Sequence, residues 1–309
     1  MAKLKNKSTL GVITALFLSL AAPVLAQDEA PVPGDVVPAG PPPREQTYET
    51  ARGVGMGGGA RASAVGTSAI AYNPANLGLA PVYHIETMLA FIPNARTWLY
   101  GGAVADAVSN RVAAGMSFYG YSGNEDRNFS GFDGRLSLGL AITQALGIGI
   151  SGRYIKLASD EENEEGEQVG GGIRAFTMDA ALRLTAFEGL QIAAFGYNLI
   201  PTDSGFAPLQ VGGAISYSYE RTFSINLDML VDLSTFDDAA VTLGAGAEYL
   251  AANTVPIRIG FRRDWGRDLN QITAALGYVD TKFGVDLGLR QDLGGGDTTL
   301  LLSARYHVH

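Results

Sequence analysis

Residues 223–233 read FSINLDMLVDL, and their spacing decides the fold class. Phe223, Ile225, Leu227, Met229, Val231 and Leu233 share one parity; Ser224, Asn226, Asp228 and Asp232 share the other, with Leu230 the exception. Successive side chains of a β-strand point to opposite sides, so this spacing predicts a strand with one apolar and one polar face. Two more runs behave alike. At 283–292, Phe283, Val285, Leu287 and Leu289 oppose Gly284, Asp286, Gly288, Arg290 and Asp292. At 298–309, Leu300, Leu302, Ala304, Tyr306 and Val308 oppose Leu301, Ser303, Arg305, His307 and His309.

Working outward from 223–233, the alternation recurs in about fourteen runs. They fall near 81–92, 96–106, 110–121, 133–143, 146–158, 173–186, 189–199, 208–219, 222–233, 239–250, 254–264, 270–280, 282–293 and 298–309. Each is roughly 10–13 residues, longer than the usual strand of about 5–6 and matched to a tilted membrane-crossing strand of about 9–11. Links after the even-numbered runs are tight, as in AVSN (107–110), FEG (187–189) and DTK (280–282). Several links after odd-numbered runs are longer: SGNEDRNFSGF (122–132), SDEENEEGEQVGGG (159–172) and IPTDSGFAP (200–208). An even number of antiparallel strands, with short turns at one end and longer loops at the other, is the pattern of an outer-membrane barrel.

Face chemistry separates that barrel from a soluble β-sandwich or propeller. The polar faces carry His84, Glu86, Arg135, Arg153, Asp179, Arg183, Asp228, Glu248, Arg258, Arg262, Asp286, Arg290 and Arg305. A packed soluble core cannot bury so many charges, because each unpaired one costs several kcal/mol. The polar wall of a lumen can hold them in opposed pairs, while lipid covers the apolar face. Trp98, Tyr100, Tyr119, Tyr121, Tyr154, Tyr217, Tyr219, Tyr249, Tyr278 and Tyr306 lie mostly near strand ends, where an interfacial aromatic girdle belongs. The sequence therefore reads as an all-β, transmembrane antiparallel barrel in contact with outer-membrane lipid.

The N-terminus supplies the route to that membrane. Lys3, Lys5 and Lys7 precede an apolar run from Leu10 to Ala22, and Val24-Leu25-Ala26 offers the small residues a signal peptidase reads. Residues 1–26 are thus expected to be a secretory signal, followed by a Pro-rich periplasmic spacer over 27–50. The chain is cysteine-free, which excludes a disulfide framework and thiolate metal sites. Its formal net charge of −9 argues against nucleic acid as a partner.

Catalytic and cofactor signals are weak. The G-x-G-x-x-G matches at 53–58 and 147–152 lack the strand–turn–helix setting of a dinucleotide site, and small residues where backbones approach explain both. Only His84, His307 and His309 are present, with no G-x-S-x-G, so neither an enzyme nor a cofactor is expected. The acidic stretch SDEENEEGEQ at 159–168 offers clustered oxygen ligands but lacks D-x-D-x-D-G spacing, so a solvated loop is favoured over a calcium site and no metal is assigned.

The segment ahead of the first strand reads ARGVGMGGGARASAVGTSAIAYNPANLGLAP (51–81). Its glycine-rich lead, followed by Asn73-Pro74-Ala75, resembles the N-terminal segment of the long-chain fatty acid transporter superfamily of outer-membrane proteins, FadL/TodX-like, including its PorV-like branch. The resemblance implies a 14-stranded barrel over 81–309 with residues 51–80 as a hatch inside the lumen. It also implies passive uptake of a hydrophobic small molecule across the outer membrane of a Gram-negative bacterium. Gly55, Gly57, Gly58 and Gly59 would then be the flexible lead of the hatch and Asn73, Pro74 and Ala75 its turn, with Arg258 and Arg262 among the wall residues it meets. The PorV-like branch implies the alternative, a non-transporting barrel that docks or shuttles an exported protein partner.

Overall fold

The computed structural model describes residues 49–309, apart from 95, 124–128, 160–172, 203, 295–296 and 309. The expected signal over 1–26, the spacer up to residue 48 and the acidic loop from residue 160 lie outside the described residues.

Fourteen strands close into one barrel: β1 (Tyr83–Ile92), β2 (Thr97–Asp106), β3 (Val112–Ser122), β4 (Phe129–Ala141), β5 (Leu146–Ser159), β6 (Ile173–Phe187), β7 (Leu190–Tyr197), β8 (Gln210–Tyr219), β9 (Phe223–Asp232), β10 (Ala240–Ala251), β11 (Val255–Asp264), β12 (Leu269–Val279), β13 (Phe283–Asp292) and β14 (Thr298–Val308). Each strand pairs antiparallel with its neighbours in sequence, and β1 pairs with β14 to close the ring, from Tyr83↔Val308 to Phe91↔Leu300. Closure leaves no unpaired sheet edge, which a wall surrounded by hydrocarbon requires.

Alternation sorts the side chains as the spacing predicts. On β9, Ile225, Leu227 and Met229 are exposed on the outer face, and Ser224, Asn226 and Asp228 are buried on the inner one. Leu230 breaks the sequence alternation by facing inward, and it has a place there. It joins Ala62, Ala75, Phe195, Tyr197 and Ala214 in a buried apolar cluster.

Two expectations need correction. The link expected over 122–132 is shorter than its composition suggests, because β4 already begins at Phe129. Gly131 sits there with φ 152°, and Ser130 and Gly131 carry no apolar signal by which alternation could find the strand. Tyr119 and Tyr121, expected in the aromatic girdle, are buried on the inner face of β3, where their parity puts them; Phe118 takes the outer position. The other girdle aromatics are outward. Trp98, Tyr100 and Tyr154 lie toward the long-loop end, and Tyr217, Tyr219, Tyr249, Tyr278 and Tyr306 toward the tight-turn end.

Residues 49–80 form two short helices, α1 (Ala51–Gly55) and α2 (Thr67–Tyr72), then a 3-10 helix, Pro74–Leu79. Helix α1 packs on β11–β14, α2 on β1–β4, and the 3-10 helix on β3–β6. In a ring of fourteen strands, β12–β13 and β4–β5 stand on opposite sides. The segment thus bridges the inner faces of opposite walls, and Ala51, Val54, Ile70 and Leu77 pack with inward-facing Met88, Ile92, Leu99 and Ile155 in the main buried apolar cluster.

Candidate functional site: the inner segment and the pocket above it

Local chemistry shapes the segment before the wall grips it. Thr50 caps α1, its hydroxyl accepting from the Gly53 amide at 3.1 Å. Gly57 and Gly58 follow with φ of 73° and 70°, a region that disfavours any side chain. A Cβ at Gly57 would also stand 2.5 Å from the Phe261 carbonyl oxygen and 2.6 Å from that of Ala245, so the segment's backbone lies directly on the wall. The Gly57 amide donates to Thr273 Oγ1 at 3.0 Å. Gly55 packs over Arg258 and Ala275, Gly58 beside Arg262, and Gly59 beside Asp228.

Asn73 ends α2 and caps the 3-10 helix, accepting from the Ala75 amide at 3.0 Å. Pro74 suits the first helical position, where its missing amide hydrogen costs nothing. Asn73 and Asn76 both donate to the Arg61 carbonyl, at 3.0 and 2.9 Å, tying the turn back to the glycine-rich lead. On the wall side, Gly139, Gly147 and Gly149 make room: a Cβ on Gly139 would lie 2.5 Å from the Pro74 carbonyl oxygen, and one on Gly147 2.9 Å from that of Ala75.

Arg61, which alternation could not single out, holds the centre. Its amide donates to Asp228 Oδ2 at 2.9 Å and its Nη1 to the same oxygen at 3.2 Å. Nε donates to the Tyr197 hydroxyl at 3.1 Å, and the guanidinium lies 5.4–5.8 Å from the ring centres of Tyr72, Phe195 and Tyr197. Burial works against its charge, but Tyr197, Asp228 and Tyr72 together hold its pKa above the ordinary guanidinium value. Burial, with Glu49 nearby, pushes the Tyr72 phenol well above its usual range. Glu49 bridges Arg262, at 2.9 Å, and Arg290, while Arg52 meets Glu248 at 3.3 Å. Thr67 donates to Glu86, and the Tyr197 hydroxyl donates to the Tyr72 carbonyl.

The remaining polar-wall residues form networks of their own. Asp133 takes Arg153 at 2.6 Å and Arg135 at 3.5 Å, and Arg135 also reaches Asp179 at 3.5 Å. Across the ring, Glu248, Arg258, Asp286 and Arg305 form a chain, with Arg258 at 2.5 Å from Glu248 and 2.6 Å from Asp286. His84 stacks on His307 with ring centres 4.3 Å apart. Arg183 is buried and donates to Thr185 at 2.9 Å, with no carboxylate in reach among the described residues.

Above the segment, toward the long-loop end, lies a pocket of about 100 Å³. Glu49, Arg61, Ala71 and Tyr72 are its contribution from the segment. Arg135, Arg153, Arg262 and Arg267 line its sides together with Tyr197, Phe206 and Phe236. Glu49, Asp179, Asp232 and Asp264 share the lining, and each of the five guanidinium groups already pairs with a carboxylate, so the pocket sets a charge-balanced polar wall beside aromatic rings.

No protein-family model matches the chain, and no curated protein matches it. Solved structures do. The toluene transporter TbuX of Ralstonia pickettii superposes with a TM-score of 0.60 at 14% identity, covering 85% of this chain and 98% of that one. The CymD monoaromatic hydrocarbon channel gives 0.62 at 11%, over 85% and 97%. A Pseudomonas aeruginosa FadL homologue gives 0.58 at 10%, over 88% and 100%. At such identities the likeness is one of fold. The chain therefore carries the 14-stranded barrel fold of the FadL/TodX outer-membrane transporters, the family that its opening segment resembles.

Proposed function

We propose that this protein is an outer-membrane channel for the passive uptake of hydrophobic small molecules, with residues 51–80 as its hatch. The observation that carries the reading is the bridging of opposite inner walls by that segment, directly beneath the arginine- and aromatic-lined pocket. A ligand entering from the long-loop end meets the pocket first and the segment next. Passage then needs displacement of the segment or an exit through the wall. The fold neighbours, a toluene transporter and a monoaromatic hydrocarbon channel among them, support a transport role. The finer reading is a long-chain fatty acid or a similar amphiphile, the class that the resemblance of the opening segment implies, with Tyr197, Phe206 and Phe236 suited to its chain. The PorV-like alternative gains no support from these neighbours.

Uptake of a labelled long-chain fatty acid and of a monoaromatic hydrocarbon into liposomes, with and without the protein, tests the reading. Faster entry of the fatty acid is expected, and equal uptake in both preparations would sink the channel assignment. A lock tests the hatch. Ser63 Oγ donates to Asn226 Oδ1 at 2.7 Å, and the natural chain is cysteine-free, so Ser63→Cys with Asn226→Cys can tether the segment to β9 without competing thiols. Oxidation should stop uptake and reduction restore it. Undiminished uptake by the tethered protein would mean that the segment does not have to move.

A further inference from the structure

The outer face of the wall is almost free of charge. Among the described strand residues, the ionic side chains on that face are Asp106 at the tight-turn end and Lys156, Arg174 and Arg263 at the long-loop end. Arg263 is neutralised locally: Asp268 lies 2.5 Å away and the Trp265 ring 5.7 Å. Lys156 and Arg174 differ. They are direct partners in the β5–β6 register, both exposed on the same face, with no carboxylate in reach of either among the described residues. Like charges placed opposite each other across a strand pair repel, so an anion between them relieves the pair.

Their depth says where that anion comes from. Phe132 neighbours Lys156 in the β4–β5 register, and Phe118, Phe132 and Tyr154 form a ladder of rings with centres 5.3 and 5.8 Å apart. Phe176 continues the row beside Tyr154. Aromatic rows of this kind mark the boundary between hydrocarbon and headgroups. The two cations lie at and just beyond it, on the side of the long loops. Arg174 uses Nε on the Tyr154 hydroxyl at 3.2 Å, which leaves its terminal nitrogens without a protein partner among the described residues.

We propose that Lys156 and Arg174 form a binding site on the outside of the barrel for the phosphate group of an outer-leaflet glycolipid. A phosphate accepts from a planar guanidinium and an ammonium at once, and the glycolipid's acyl chains would run down the ring-lined face below. The site is separate from the luminal pocket, so it would anchor and orient the barrel without taking part in uptake. The inference rests on the outer-membrane reading, and membrane fractionation of the wild-type protein checks that reading separately.

The test uses the full chain in detergent micelles, titrated with a diphosphorylated lipid A-type glycolipid and with its dephosphorylated form, read by native mass spectrometry. The comparison protein is Lys156→Gln with Arg174→Gln, whose changes touch only the outer face. Two surface cations lost should weaken binding of the phosphorylated lipid about thirtyfold. The dephosphorylated lipid should bind wild type as weakly as the variant binds the phosphorylated one, and millimolar inorganic phosphate should not displace the bound lipid. Equal binding by wild type and variant, equal binding of the two lipids, or full displacement by inorganic phosphate would overturn the proposal. If the wild type fractionates outside the outer membrane, the functional reading has failed; if it fractionates there and the variant binds alike, only this inference has.

Discussion

Two sets of ion pairs occupy the lumen, and they are wired differently. The wall's own networks, Asp133 with Arg153 and Arg135 and the chain from Glu248 to Arg305, join residues of neighbouring or nearby strands. The pairs made by the segment, Arg61 with Asp228, Glu49 with Arg262 and Arg290, and Arg52 with the Glu248 end of that chain, join residues far apart in sequence. A wall pair has spare partners, since Asp133 keeps one arginine if it loses the other. The central segment pair has none in reserve: without Arg61, Asp228 stays buried with no other cation paired to it among the described residues. The difference assigns the networks separate tasks. The first stabilises the barrel, and the second ties the segment's position to the stability of the whole.

The largest effect should come from Arg61→Ala. Removing one partner of a buried ion pair costs about 3–5 kcal/mol, which thermal unfolding in detergent would read as a lower midpoint. Adding Asp228→Asn should recover much of the loss; if the double variant is no better than the single one, the pair is not what holds the segment. Gly57→Ala comes next, at about 1–3 kcal/mol, from the left-handed backbone and the crowding against Phe261 and Ala245. It should also raise ion leakage through the barrel in planar bilayers, because the segment must shift. Arg153→Met should cost less than Arg61→Ala, since Arg135 remains 3.5 Å from Asp133. A larger loss there would erase the proposed distinction between the two networks. Arg263→Ala should be smallest, at about 0–1 kcal/mol, because its partner Asp268 is exposed.

Most of the wall was legible in the sequence because a membrane barrel faces two solvents. Lipid outside and polar groups inside impose period two on nearly every strand, and that period locates strands by itself. The misses have local causes. Ser130 and Gly131 carry no apolar signal at the start of β4, and Tyr119 and Tyr121 suit a girdle by residue type while their parity points inward. The candidate site was half legible. Parity marks Asp228, Glu248, Arg258 and Arg262 as inward, but nothing local pairs Arg61 with Asp228, because 167 residues separate them. Gly139, Gly147 and Gly149 read as small residues in strands, and only the contact with Pro74 and Ala75 says what their smallness admits.

The sequence by itself determined the strands, their two faces and the turn at Asn73-Pro74, since each follows from residue spacing and local backbone chemistry. Which wall residues meet the segment, and which cations are left to face outward together, was decided by the closed ring alone. Closure sets β1 against β14 and brings residues from opposite walls within reach of one short segment, and no local signal in the chain encodes those distances.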